Sequence, residues 1–188
     1  ISPMTSQRKW KYLFGPVYSW RLGVSLGIDP VSQDKKICNF NCVYCQLGKT
    51  GIMRQQRRVY VPVRAVISEF KKFPTVKIDY LTFSARGEPT LAKNLGAMIK
   101  ALRKLRSEKT AVITNSGLMT RPDVRADLAL ADFVLAKLDC YGQASLKEIN
   151  RPMAGVSFRK IVEGIKKFRQ EYKGKLALQL MFIDANKG

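Results

Sequence analysis

Residues 78–114 read IDYLTFSARGEPTLAKNLGAMIKALRKLRSEKTAVIT, and this stretch decides the fold. Its two ends, residues 78–83 and 110–114, are apolar runs rich in residues that favour β-strands. Between them, apolar side chains recur on one helix face, with Lys and Arg opposite: Leu91, Leu95, Met98, Ile99 and Leu102. A strand, a helix and a second strand in this order predict two parallel strands joined by a helical crossover.

The same alternation continues on both sides of this unit. Apolar runs predict three more strands, at residues 22–28, 132–138 and 176–183. Helical spacing predicts helices over residues 62–73 and 120–131, and a further one marked by Phe158, Ile161, Val162, Ile165 and Phe168. The chain is therefore predicted to be α/β, with five parallel strands in either a (β/α) barrel or an open doubly wound sheet. Because the fifth strand lies close to residue 188, we expect a C-terminally truncated barrel whose last βα unit is missing.

The composition is that of a folded, basic domain. The 188 residues are 46% hydrophobic and 26% charged, and 34 Lys and Arg against 14 Asp and Glu give a net charge of +20. We predict a single domain over residues 1–188, with an N-terminal extension over residues 1–21 and the barrel from about residue 22. Histidine is absent, which excludes imidazole proton shuttles and zinc sites that need a histidine ligand.

The positive charge is spread along the chain and allows two interpretations. It indicates either a generally basic, solvated surface or a polyanionic partner such as RNA. An aromatic and basic group near the N-terminus would suit stacking on a base or simple hydrophobic packing: Trp10, Lys11, Tyr12, Tyr18, Trp20 and Arg21. No apolar run approaches the length of about 18 residues that a membrane span needs. We therefore expect a cytoplasmic protein without a membrane partner.

Three cysteines form the strongest local signal. Cys38, Cys42 and Cys45 lie in ICNFNCVYCQLGKT, residues 37–50, with the spacing C-x3-C-x2-C directly after the first predicted strand. Thiolates suit zinc or iron–sulfur clusters. Buried inert cysteines and a structural zinc with Cys140 as fourth ligand remain alternatives, but the lack of histidine favours a three-cysteine cluster with one open iron. We interpret Cys140 as a small buried apolar residue.

A second group of candidate residues follows the other predicted strands. Gly87 and Glu88 lie in SARGEPT after the second strand, where a glycine permits close backbone approach and a carboxylate can accept from an ammonium group. Polar residues at or after the ends of later strands are further candidates for ligand contacts: Asn115, Lys137, Asp139 and Arg151. A lysine within the apolar run VLAKL needs an anionic partner, so Lys137 should meet Asp139 or a ligand carboxylate.

These motifs together carry a family resemblance over about residues 12–183. The cysteine spacing with Tyr44 in the aromatic slot is similar to that of the radical S-adenosylmethionine (radical SAM) superfamily. GPVYSWRLGVSLGID, QLGKT, FSARGEPTL, TNSGLM, KLD and NRP follow in an order that resembles a branch of iron–sulfur oxidoreductases similar to the tRNA wyosine-forming enzymes. Ala85 departs from that pattern, in which glycine is common.

The resemblance implies a function and a set of site residues. It implies a [4Fe–4S] cluster on Cys38, Cys42 and Cys45, with S-adenosylmethionine on the open iron and the Gly87–Glu88 segment at its amine. The reduced cluster would cleave S-adenosylmethionine to a 5′-deoxyadenosyl radical that abstracts hydrogen from a substrate, for which a tRNA base is the candidate. Cofactor contacts would come from the following residues: Tyr44, Gly87, Glu88, Asn115, Lys137, Asp139 and Arg151.

The partners and the alternative functions follow from the same residues. The implied partners are S-adenosylmethionine, an electron donor such as flavodoxin or ferredoxin, and RNA. Two other functions remain open: a basic RNA-binding protein with a structural metal site, and an activase that installs a radical on a partner enzyme.

Overall fold

One mostly parallel sheet organises the chain. The structure is a computed structural model that describes residues 10–84 and 86–184. Its main strands are β1 (Leu13–Ser19), β2 (Gly23–Ile28), β5 (Tyr80–Phe83), β6 (Lys109–Thr114), β7 (Phe133–Lys137) and β8 (Lys175–Gln179), in the order β1-β2-β5-β6-β7-β8. The pairs from β2 to β8 are parallel, and β1 pairs with β2 antiparallel. Two short parallel strands, β3 (Ile37–Cys38) and β4 (Ile52–Met53), form a second small sheet.

Helices connect the parallel strands. They are α1 (Val63–Lys72), α2 (Leu95–Arg103), α3 (Pro122–Leu128), the short α4 (Gln143–Ser145) and α5 (Phe158–Glu171). A 3₁₀ turn covers Pro89–Leu91 and a π-helical turn covers Leu146–Asn150. Pro122 begins α3, where its missing N–H costs nothing, and the Ser157 hydroxyl caps α5 by accepting from the N–H of Lys160. None of the helices in the described part of the chain is long and apolar enough to cross a membrane.

The helices cover one face of the sheet. Leu81, Val112 and Val134 belong to the same buried cluster as the apolar faces of α1, α2, α3 and α5. Neighbouring positions along the strands point the other way and form a separate small cluster that includes Ala111 and Leu135. Helices on a single face fit a partial (β/α) barrel, whereas a doubly wound sheet carries helices on both faces. The predicted α/β class, the five parallel strands and the four main helices are confirmed.

The N-terminal region differs from the prediction. Leu13–Ser19 forms β1, an antiparallel edge strand of the main sheet that the hydrophobic pattern did not predict, and the domain boundary near residue 22 stays a prediction. The strand was concealed because Gly15 and Pro16 look like a turn and most of its residues are exposed. A proline is tolerated here because β1 is an edge strand with an irregular register between Phe14 and Val17. Residues 1–9 of the predicted extension, Ala85 and residues 185–188 lie outside the described residues, and the missing βα unit stays a prediction.

Candidate active site

The carboxyl ends of the parallel strands meet at one edge of the sheet. The cysteine loop, residues 29–51 between β2 and β4, lies there. The loop follows β2, and β3 within it forms a parallel bridge from Ile37 to Gly87 in the loop after β5. A cavity of about 180 Å³ opens between these loops. Its lining contains the three clustered cysteines together with Lys36, Tyr44, Gly87, Glu88, Asn115 and Lys137. Most of the predicted site residues are therefore brought to one place.

Each of the three thiols receives a nitrogen donor. Sγ of Cys38 accepts from the backbone N–H of Phe40 at 3.4 Å and from Nδ2 of Asn115 at 3.5 Å. Sγ of Cys42 accepts from Nδ2 of Asn150 at 3.4 Å, and Sγ of Cys45 accepts from Nζ of Lys36 at 3.0 Å. N–H donors around sulfur are characteristic of cluster ligands because they stabilise thiolate charge and tune the potential.

Burial makes two of these cysteines, Cys38 and Cys42, poor free thiolates. It raises the pKa of the Cys38 thiol to about 12, with the Glu88 charge adding to the effect, and it also raises the pKa of Cys42. Without a metal the Cys38 and Cys42 thiols would stay protonated at neutral pH. A positively charged metal centre deprotonates its coordinating thiols. One buried and two half-buried thiols, each with a nitrogen donor and all on one cavity, therefore fit an iron–sulfur cluster.

A single structural metal ion fits less well. Across residues 10–84 and 86–184, no three His, Cys, Asp or Glu side chains are close enough together to hold one metal ion. A four-iron cluster binds each thiolate to a different iron, so it needs its ligands farther apart than a zinc ion does. Cys140 is buried, as predicted, and burial raises its pKa to about 11. The geometry therefore does not support a zinc site completed by Cys140.

Gly87 is required by the contact between two loops. A Cβ at this position would fall on the carbonyl oxygen of Ile37, which also accepts from the N–H of Glu88 at 3.1 Å. The glycine thus permits close approach of the loop after β5 to the backbone of the cysteine loop. From the sequence alone, the glycine was predicted to permit close approach to a ligand.

Glu88 is fully buried and its carboxylate is occupied by the protein. Oε1 accepts from the N–H of Thr90 at 3.1 Å, from its hydroxyl at 2.6 Å and from the hydroxyl of Thr114 at 2.7 Å. Oε2 accepts from the N–H of Asn115 at 2.8 Å. Burial raises the pKa of Glu88, and these donors work in the opposite direction. The carboxylate therefore ties the 3₁₀ turn to the end of β6 and supports the cavity wall.

Asn115 connects the end of β6 to the cysteine loop. Its Nδ2 donates to Oδ1 of Asn39 at 2.7 Å in addition to the Cys38 contact, and its Oδ1 accepts from the N–H of Gly117 at 2.9 Å. Asn39 is fully buried. This places an amide against one thiol with its orientation set by two other groups, Oδ1 of Asn39 and the N–H of Gly117.

Asp139 lies at the centre of a second network, behind the cavity. Its carboxylate accepts from the hydroxyl of Tyr44, from Nδ2 of Asn150 at 3.3 Å and from the N–H of Met181 at 2.8 Å. Nζ of Lys137 lies 3.7 Å from Oδ2 of Asp139 and 4.5 Å from the centre of the Tyr44 ring. Lys137 thus has the anionic partner that its buried position predicted. Burial, together with Cys42 and Asp139, raises the pKa of Tyr44 and keeps its hydroxyl a donor.

One predicted residue lies away from the cavity, and two residues that contact the cysteines were not predicted. Arg151 is exposed, and its Nε donates to the carbonyl of Glu148, so it does not reach the cavity. Its backbone is left-handed, with a φ of 45°, at the end of the π-helical turn. Lys36 contacts the Cys45 thiol and Asn150 contacts the Cys42 thiol, but neither residue was predicted. Asn150 stands in the NRP motif that was noted, while Lys36 had no signal beyond its nearness to Cys38.

The aromatic and basic group near the N-terminus is divided. Trp10 packs against Phe73 with ring centroids 5.4 Å apart, whereas Tyr18 and Trp20 are 83% and 84% exposed. The guanidinium of Arg21 lies 5.4 Å from the Trp20 ring centroid. Tyr18 and Trp20 adjoin the start of β2, at the opposite edge of the sheet from the cysteine loop, so they do not line the cavity.

Fold and site together define a (β/α) protein with three clustered cysteines at the carboxyl ends of its strands. Comparison with known proteins agrees: the profile of the Radical SAM superfamily matches residues 35–184. The chain is also 43% identical over 171 residues to a UPF0026 protein of Synechocystis sp., covering 91% of this chain and 64% of that relative. The chain therefore belongs to the radical SAM superfamily, whose enzymes use a [4Fe–4S] cluster and S-adenosylmethionine.

Solved structures show the same fold. TYW1 with a bound lysine–pyruvate adduct superposes with a TM-score of 0.59 at 18% identity, covering 88% of this chain and 58% of that one. SuiB of Streptococcus suis bound to S-adenosylmethionine gives a TM-score of 0.56 at 19% identity, covering 77% of this chain and 31% of that one. This chain thus spans less than two thirds of each of the relatives described.

Proposed function

We propose that the cavity at the carboxyl ends of the strands is where this protein cleaves S-adenosylmethionine reductively. The observation that carries the proposal is the convergence of Cys38, Cys42 and Cys45 on one cavity, each with a nitrogen donor to sulfur. When bound, the cluster supplies the electron that converts S-adenosylmethionine to methionine and a 5′-deoxyadenosyl radical, which abstracts hydrogen from a substrate. An external donor such as flavodoxin or ferredoxin provides the electron.

The residues of the chain hold and orient the reactants. Lys137 places an ammonium group at the cavity, where it attracts the carboxylate of S-adenosylmethionine, and the Asn115 amide lies beside the Cys38 ligand. Glu88 acts as a positioning residue, because its carboxylate already accepts four hydrogen bonds from the strand end and the neighbouring turn. Phe40 and Leu47 contribute apolar lining that limits access of water to the site.

Anaerobic reconstitution tests this function directly. The full chain should take up about four iron and four sulfide, develop a broad iron–sulfur absorption band, and release 5′-deoxyadenosine when dithionite and S-adenosylmethionine are added. The variant with Cys38, Cys42 and Cys45 all changed to Ala should lose both signals, whereas Cys140→Ala should keep them. A colourless, iron-free wild-type chain, or a zinc-loaded one, would refute the proposal.

We further propose a nucleic-acid substrate, with a tRNA base as the specific candidate. The net charge of +20 supports a polyanionic substrate, because each phosphate contact gains from counterion release. Binding of a tRNA pool to this chain, and to a control protein of equal net charge, should be compared at rising salt concentrations. Affinity for RNA that falls steeply with salt supports this substrate class. Hydrogen abstraction from a partner enzyme without RNA affinity would instead support an activase.

A further inference from the structure

Lys36 brings a charged donor to the cavity from the cysteine loop itself. It immediately precedes β3, and its carbonyl accepts from the N–H of Ile52 at 2.9 Å, so the backbone is held by the β3–β4 pair. Side chains two residues apart on an extended segment point to the same side. Lys36 and Cys38 therefore both line the cavity, while Ile37 between them is buried in the core.

The ammonium group of Lys36 touches the loop at two points. Nζ donates to Sγ of Cys45 at 3.0 Å and to the carbonyl of Gly48 at 2.8 Å. Its charge also lowers the pKa of the Cys38 thiol, although burial raises that pKa by more. The same cation thus acts on two of the three cluster thiols.

The other charges at the site compensate one another more fully. Lys137 and Asp139 are partners at 3.7 Å, and they act on Cys42 in opposite directions. Glu88 adds negative charge near Cys38. The ion pairs found in the described part of the chain engage cations other than Lys36. Lys36 therefore directs its charge at a cysteine sulfur and, among the described residues, forms no ion pair with a carboxylate.

We propose that Lys36 is a positioning residue that raises the reduction potential of the cluster by donating from Nζ to Sγ of Cys45. The inference rests on the proposed function, since it requires the cluster on the three cysteines. Reduction adds one electron, taken from the external donor, and forms or breaks no bond at Lys36. A nearby positive charge and an N–H donor to sulfur stabilise the reduced cluster more than the oxidised one.

Four variants of the full chain separate charge from loop structure. Lys36→Met removes both contacts, Lys36→Gln keeps an amide donor without the charge, and Lys36→Arg keeps the charge. Lys49→Gln removes a charge from an exposed position on the same loop and is the matched control. Iron and sulfide content is measured first, and the midpoint potential is then determined by a redox titration followed by electron paramagnetic resonance.

The expected result is a more negative midpoint potential in Lys36→Met and Lys36→Gln at wild-type iron content. Lys36→Arg and Lys49→Gln should stay near the wild-type potential. An unchanged potential in Lys36→Gln, or an equal shift in Lys49→Gln, would overturn the role of Lys36. Loss of the cluster in both neutral variants would show that Lys36 retains the cluster, and would also overturn the proposal. Absence of iron from the wild type would refute the proposed function, which is a separate outcome.

Discussion

The carboxylate of Glu88 accepts a hydrogen bond at 2.8 Å from the backbone N–H of Asn115, twenty-seven residues further along the chain. This bond joins the loop after β5 to the end of β6 at the point where Asn115 turns its amide toward Cys38. Glu88, which the resemblance predicts to lie at the amine of S-adenosylmethionine, thus has a structural role within the protein. Its remaining bonds, to Thr90 and Thr114, serve the same junction.

Glu88→Gln should destabilise the protein even before any cofactor is added. The amide presents N–H₂ to a group that donates, so at least one buried donor loses its acceptor, at a cost of about 1–3 kcal/mol. The free energy of unfolding of the cluster-free protein in urea measures this. Glu148→Gln, at an exposed position, is the control and should be close to neutral. Unchanged stability with lost affinity for S-adenosylmethionine would show that Glu88 binds the ligand directly.

Gly87→Ala should disturb the contact between the two loops of the site. The added methyl group would meet the carbonyl of Ile37, and relief of that clash must move one loop, which costs about 1–3 kcal/mol. We expect a lower melting temperature and reduced iron uptake on reconstitution.

Gly142→Ala is the matched control for the Gly87 variant. Gly142 has an extended backbone that any residue adopts, and nothing lies within 4 Å of a Cβ placed there. Its free energy of unfolding should lie within about 0.5 kcal/mol of the wild-type value, and it should take up iron normally. Equal behaviour of the two alanine variants would contradict the requirement for glycine at residue 87.

The element types were predictable because periodicity reports burial, but their ends depend on partners. The helical face predicted from Leu91 to Leu102 becomes a helix only at Leu95, because Glu88 and Pro89 start a separate 3₁₀ turn. The strand predicted over residues 176–183 ends at Gln179, because its partner β7 ends at Lys137 and these two residues form the last pair. Neither limit is visible in the hydrophobic pattern of the segment itself.

The candidate site divides in the same way. The cysteines were identifiable because their chemistry and spacing lie within one short segment. Asn150 contacts Cys42, which lies 108 residues earlier in the sequence, and no local sequence pattern predicts such a contact. Arg151 was chosen for its charge, but its exposed position at the end of the π-helical turn is a property of the folded chain.

Tyr44 and Asp139 should behave as one energetic unit. The Tyr44 hydroxyl donates to the buried carboxylate of Asp139, and a hydrogen bond to a charged group contributes about 1.5–3 kcal/mol. Tyr44→Phe and Asp139→Asn should each lower the free energy of unfolding of the cluster-free chain. The double variant should lose less than the sum, because both changes remove the same bond. Tyr141→Phe, at a residue 75% exposed, is the control. Strict additivity would show that the two residues do not interact in solution.

Asp123→Asn should make the stability of the fold less sensitive to acid. Hydrogen bonds from Arg121 and then from Arg57 hold the pKa of the Asp123 carboxyl well below its usual range. A carboxyl whose pKa is depressed on folding stabilises the protein above its unfolded pKa of about 3.9, and this contribution disappears as the pH falls toward the folded pKa.

Because the Asp123 side chain is 49% exposed, we expect it to contribute at most about 1 kcal/mol to the free energy of unfolding, or roughly 2–4 °C in melting temperature. Wild type should melt above Asp123→Asn at pH 7, and the gap should narrow below about pH 4. Asp34→Asn, at an exposed aspartate, should follow the wild type at every pH. A gap that stays constant from pH 7 to pH 3 would show that the arginine contacts do not stabilise the ionised carboxylate.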